Sequence, residues 1–267
     1  MVPKQALAWY ASTVSDAIKL GLSGKVVLVT GGVRGVGAGI SGVFADQGAT
    51  VVTCARRPVE GLPYEFHSCD VRDDDAVKAL IETIVAKHRR LDVVVNNAGG
   101  SPHAPAAQAS ANFSRKIIEL NLLGPLQVAQ HANAVMQTQP TGGSIINITS
   151  VSGHRPSPGS AAYSAAKAGL DNLTATLAVE WAPKVRVNSV VVGMVETEQS
   201  DLFYGDAESI AAISATVPLG RLAKPVDVGW AAAFLSSDAA SYISGATLET
   251  HGGGEPPVYL DVTSANK

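Results

Sequence analysis

The chain has 267 residues, 46% hydrophobic and 16% charged, with 20 basic against 23 acidic side chains and a formal net charge of -3. A chain of this length buries about three quarters of the surface it exposes when unfolded, and its low charge excludes a disordered, self-solvating polymer. With no lysine or arginine cluster to neutralise phosphates it is not expected to bind nucleic acid, and its longest apolar runs (Val26 to Val29, Val190 to Val195, Ala231 to Leu235) fall far short of the roughly 18 residues of a spanning helix.

In chain order, residues 1–21 carry Leu7, Tyr10, Val14, Ala17 and Ile18 at spacings of three and four. This predicts a short amphipathic helix, an arm packing on its own domain or on a neighbouring subunit. Its polar face lacks the basic residues of a membrane-surface helix, and no small-residue cleavage site follows it, so neither a membrane anchor nor a signal peptide is expected. From residue 25 onward, short apolar runs alternate with helix-period segments. Strands are expected at Val26 to Thr30, Thr50 to Cys54, Tyr64 to Ser68, Asp92 to Asn96, Ser144 to Thr149, Val185 to Val190 and Ala246 to Thr250. Helices are expected at 35–47, 73–88, 112–138, 160–182 and 225–237, the second opening on Asp73-Asp74-Asp75 and the third bent by Pro125.

Most of these strands are continuously apolar, as strands are when helices cover both faces of a parallel sheet. The pattern is that of an α/β fold: a Rossmann-type doubly wound parallel sheet of about seven strands, helices on both faces. No linker, repeat or low-complexity tract divides residues 22–267, which are taken as one dinucleotide-binding catalytic domain. Two cysteines, Cys54 and Cys69, form no disulfide framework and fit a reducing, cytoplasmic setting.

Directly after the first strand comes Thr30-Gly31-Gly32-Val33-Arg34-Gly35-Val36-Gly37, then a helix. Free N–H groups and the helix dipole attract a pyrophosphate at such a turn, and glycines let the backbone approach it. At the end of the second strand, where an NAD-selective site carries an acidic residue, the sequence is Ala55-Arg56-Arg57. Arg34, Arg56 and Arg57 offer bidentate forks to a 2′-phosphate, so NADP(H) is expected in preference to NAD(H).

Tyr163 and Lys167, four residues apart in a helix-period segment, share a helical face. An ammonium near a phenol favours the phenolate, and a three-unit fall in its pKa corresponds to roughly 4 kcal/mol; this makes a tyrosine a usable general acid and base.

With the glycine turn, Asn96-Asn97-Ala98-Gly99, Asn121, Ser150, Tyr163 and Lys167, the chain resembles the compact form of the short-chain dehydrogenase/reductase family from about Leu22 to Gly253. That resemblance implies hydride transfer between nicotinamide and a carbonyl or secondary alcohol. It makes Tyr163 the general acid/base, Ser150 the group that holds the substrate oxygen, and Lys167 the residue that binds the nicotinamide ribose and depresses the Tyr163 pKa. Asn121 keeps a helix distortion and a water linking Lys167 to solvent. Asp70, with Val71 beside it, contacts adenine; Asn97, Ala98 and Gly99 lie along the adenosine ribose; Gly193, Val195 and Thr197 wrap the carboxamide. It also implies a homotetramer.

The chain departs from the family pattern at Val192-Gly193, where Pro-Gly is usual, and at His251-Gly252-Gly253, where Asp-Gly-Gly is usual. His251 is expected to be structural, and no metal site is expected. The substrate pocket should be built from Ser101-Pro102-His103, Val151 to Ser160, and Met194 to about Pro218. The last stretch favours a modest apolar substrate, and His103 and His154 are expected to be solvated. Asn121 to Pro140 holds no lysine or arginine, which disfavours docking of an acidic carrier protein. An NADPH-dependent reductase is the leading expectation. An NAD(P)-dependent alcohol dehydrogenase working oxidatively and a non-catalytic nucleotide sensor are the alternatives.

Overall fold

The computed structural model describes residues 20–59 and 61–264. The expected N-terminal helix lies outside the described residues apart from Leu20 and Gly21, which are not helical. Among the described residues the strands are β1 (Val26–Thr30), β2 (Thr50–Ala55), β3 (Glu65–Ser68), β4 (Val93–Asn96), β5 (Gly143–Ser150), β6 (Val185–Val192) and β7 (Thr247–Thr250). The α-helices are α1 (Gly35–Asp46), α2 (Asp74–His88), α3 (Ala111–Ile118), α4 (Gly124–Met136), α5 (Ala161–Glu180), α6 (Ser200–Tyr204), α7 (Ala207–Thr216), α8 (Pro225–Ser236) and α9 (Tyr259–Val262).

All strands pair in parallel in the order β3-β2-β1-β4-β5-β6-β7. The chain reverses direction across the sheet between β1 and β4, and the crevice outside the carboxyl ends at such a switch point is where open α/β sheets bind ligands. The continuous apolar run of β1 has a direct reason. Val26 and Leu28 enter a core with α2, α4 and α5, whereas Val27 and Val29 enter a second core with α1 and α8. Each such side chain, fully buried, contributes about 1.5–3 kcal/mol.

The expected acidic helix start is present. Asp73 caps α2 by accepting from Ala76 N–H at 3.1 Å, with Asp74 and Asp75 in the first turn. The single helix expected over 112–138 is corrected: α3 and α4 are separated by a π-helical segment, Glu119–Leu123. Pro125 is the second residue of α4, directly after that segment. The helices α6, α7 and α9 were not anticipated. In α7 no residue is buried, so it carries no apolar period to find, and its start is set by Asp206 accepting from Ser209 N–H at 2.9 Å.

Candidate active site

The glycine turn leaves β1 with Gly31 at φ 65° and Gly35 at φ 50°, a region that favours glycine. A Cβ on Gly37 would stand 2.2 Å from the Gly31 carbonyl oxygen, so the turn closes on its own backbone. Asn97, just past β4, ties the turn down: its amide donates to the Thr30 and Gly31 carbonyls (2.9 and 3.3 Å), and Thr30 Oγ1 accepts from Asn97 and Ala98 N–H. The N-terminus of α1 has no side-chain cap of its own and no acidic residue in its first turn. Such an end fits a pyrophosphate, and a carboxylate from elsewhere in the chain, Glu198, already accepts the Gly35 N–H at 3.1 Å.

Arg34, Arg56 and Arg57 are all exposed, and among the described residues none makes a side-chain hydrogen bond or ion pair. Asp70 is held by Arg72 through contacts of 3.0 and 2.6 Å; these keep its carboxyl below the usual range, with burial opposing and Arg56 assisting. Val71 is buried in the core.

Ser150 ends β5, where its Oγ accepts from Ser152 N–H at 3.2 Å. Tyr163 and Lys167 sit one turn apart on α5, with Nζ 5.6 Å from the tyrosine ring centre and donating to the Ile148 carbonyl at 2.8 Å. Asn121, fully buried in the π segment, accepts from Gly100 N–H (2.8 Å) and donates to Gly100 and Ile117 carbonyls (3.0 and 2.9 Å). A Cβ on Gly99 would lie 2.7 Å from Asn121 Oδ1 and 3.4 Å from Lys167 Nζ, so glycine there lets the two polar groups close on one point.

Burial pushes the Tyr163 phenol above its ordinary value of 10, against a hydrogen bond with Ser150 that lowers it, and Tyr204 adds to the rise. Burial acts on the neighbouring ammonium as well. Lys167 itself is brought down to about 8, with the Asp171 carboxylate opposing. Asp171 was missed, although its place four residues after Lys167 puts it on the same helical face. It also receives Ser189 Oγ at 2.7 Å and pairs with His154 at 2.9 Å; His154 is exposed to solvent, as expected.

At Val192, where the family pattern has proline, β6 continues in register with Ser150 on one side and Thr250 on the other. Gly193 follows, donating to the Thr250 carbonyl at 3.2 Å, and a Cβ there would strike His251 at 2.8 Å. Val195 N–H donates to the Tyr204 hydroxyl at 3.3 Å, and Thr197 N–H to Ser200 Oγ at 2.8 Å. His251 pairs with Glu249 at 3.0 Å.

Beside Val151, Gly193 and Met194 opens a pocket of about 170 Å³ whose far wall holds His154, Arg155 and His251. Val151, Val191 and Met194 make the rest of the lining apolar, and Leu202 and Phe203 on α6 lie exposed. A smaller recess lies between Ser101, Phe113 and Ser160.

Residues 31–255 match the sequence model of a family described as enoyl-(acyl carrier protein) reductase. The chain is 36% identical over 244 residues to the 3-oxoacyl-(acyl-carrier-protein) reductase FabG of Thermotoga maritima, covering 87% of this chain and 98% of that protein. It is 38% identical over 242 residues to the cis-4-hydroxycyclohexanecarboxylate dehydrogenase of Sinomonas cyclohexanicum, covering 86% and 96%. Its fold superposes on ligand-free Thermoplasma acidophilum aldohexose dehydrogenase with a TM-score of 0.85 at 30% identity, over 94% of this chain and 99% of that one. With a matching family model over most of its length and relatives above 30% identity, the chain belongs to the short-chain dehydrogenase/reductase family and is an oxidoreductase of that family.

Proposed function

We propose that the protein is an NADP(H)-dependent oxidoreductase that interconverts a carbonyl and a secondary alcohol on a modest small molecule. The observation that carries this reading is the meeting of Ser150, Tyr163, Lys167 and Asn121 beside the glycine turn at the carboxyl ends of the strands. Bound NADPH supplies the hydride that reaches the carbonyl carbon. Tyr163 then gives its phenolic proton to the carbonyl oxygen, or takes it back in oxidation. Ser150 donates to the same oxygen and fixes it against the phenol. Lys167 binds the nicotinamide ribose and steadies the phenolate as it forms, and Asn121 holds the π segment open toward solvent for proton return.

Three exposed arginines without a side-chain hydrogen bond among the described residues support preference for the 2′-phosphate. The absence of lysine and arginine from α4 supports a free small molecule over a carrier-linked one. Unpartnered apolar side chains at Val226, Trp230 and Phe234 recur on one face of α8, and Val179 stands exposed on α5. They support assembly into a homotetramer, which light scattering at micromolar concentration tests. The free, buried Cys54 and Cys69 fit a reducing cytoplasm.

A panel of ketones and secondary alcohols, followed by NADPH absorbance in both directions, tests the reaction. Turnover should fall by about three orders of magnitude in Tyr163→Phe with cofactor affinity kept. Full hydride transfer in that variant overturns the assigned chemistry.

A further inference from the structure

Two hydrogen bonds run from the segment after β6 onto backbone donors of the cofactor cleft. Glu198 accepts the Gly35 N–H at 3.1 Å, with the Thr197 methyl carbon against the same turn. Tyr204 accepts the Val195 N–H at 3.3 Å. The first donor opens α1, where a pyrophosphate would sit. The second lies two residues before Thr197 in the same segment. Tyr204 is close enough to Tyr163 for their charges to interact, and the nicotinamide must lie beside Tyr163 if hydride and proton are to reach one carbonyl group.

We propose that Glu198 and Tyr204 set the affinity for the dinucleotide by occupying, in its absence, the two donors that its pyrophosphate and its nicotinamide end require. The proposal rests on the cofactor reading above. A carboxylate and a pyrophosphate cannot share one N–H: they compete for the bond and repel each other. Binding therefore breaks both contacts and moves the segment that carries them. That segment is lightly held. Glu198 is exposed, α6 is five residues long, Leu202 and Phe203 are 73% and 66% exposed, and Ser200 is its buried anchor. Moving it forfeits little buried apolar surface.

The test is calorimetric titration of the full-length protein and two variants with NADPH, NADH and ADP, the last bearing a pyrophosphate and no nicotinamide. Glu198→Ala is expected to tighten all three by about three- to tenfold, the range of one hydrogen bond plus a relieved repulsion. Tyr204→Phe is expected to tighten NADPH and NADH by about threefold and to leave ADP unchanged. Glu198→Ala binding no tighter than wild type, or Tyr204→Phe acting on ADP as much as on NADPH, overturns the proposal while leaving the cofactor reading intact. Wild-type protein that binds none of the three ligands overturns both. Thermal melts of the variants confirm that the fold is kept.

Discussion

The Lys167 ammonium donates to the Ile148 carbonyl at 2.8 Å beneath the ring of Tyr163, on a residue only 4% exposed. Burial takes its pKa from 10.5 to about 8. Between these values the unfolded chain binds more protons than the folded one, so this group makes stability rise with pH across that window. Below pH 8 both states are charged and the folded one bears the whole penalty, about 3 kcal/mol for a shift of this size. Lys167→Met removes the penalty and leaves the Ile148 carbonyl without its donor, which takes back about 1 kcal/mol or more. The variant should be inactive yet about 1–2 kcal/mol more stable at pH 7, an advantage that shrinks above pH 8. Denaturation curves from pH 6 to 10 check this, and a variant less stable at pH 7 contradicts it.

Asn121 spends its side chain on three backbone partners, two at Gly100 and one at Ile117, with no exposure to solvent. Asn121→Ala strands those groups, at about 1–3 kcal/mol for each left unpaired. A lower melting temperature is expected, with kcat reduced by about tenfold or more as the π segment shifts relative to Lys167. Wild-type kcat with reduced stability would confine Asn121 to a structural part.

These two residues show what was legible from the chain. The sheet could be read because β1 buries successive residues in opposite cores, which leaves a continuous apolar run. The Tyr163–Lys167 pair could be read because α5 is regular, so spacing of four fixes a shared face. The π segment was legible only through the family resemblance, which puts a helix distortion at Asn121: Glu-Leu-Asn-Leu-Leu has no breaker, and the bonds of Asn121 to the distant Gly100 backbone leave no trace in the pattern. Glu198 and Tyr204 were invisible for the same reason. Their partners, Gly35 and Val195, are backbone groups, and backbone donors leave no mark on residue identity.

Among the described residues Arg34, Arg56 and Arg57 make no side-chain hydrogen bond, so a 2′-phosphate would displace none. Replacing Arg56 and Arg57 together by alanine should raise the Kd for NADPH by about tenfold or more, as charge-assisted hydrogen bonds of about 1.5–3 kcal/mol are lost. The Kd for NADH should stay within about twofold. Equal losses for the two cofactors, seen by fluorescence titration, would show that the arginines do not read the phosphate.

At the sheet edge Glu65 meets three side-chain nitrogens: Lys87 and His88 at Oε2 and His67 at Oε1, each at 2.8 Å. Burial raises its pKa, but hydrogen bonds with Lys87, His67 and His88 outweigh this and bring it from 4.5 to about 2. A carboxylate lowered in the folded state stabilises above its unfolded value, and that contribution is lost as pH falls from about 4.5 to 2. Screening at this edge holds it to about 1 kcal/mol. Glu65→Gln should therefore lower stability by about that amount at pH 7, and the two proteins should converge near pH 2. Because β3 is the edge strand, clamped there to the end of α2, hydrogen exchange in β3 should quicken in the variant before the rest of the sheet responds. A uniform change across all strands, or a gap between the proteins that persists at pH 2, would assign the Glu65 contribution to something other than these three hydrogen bonds.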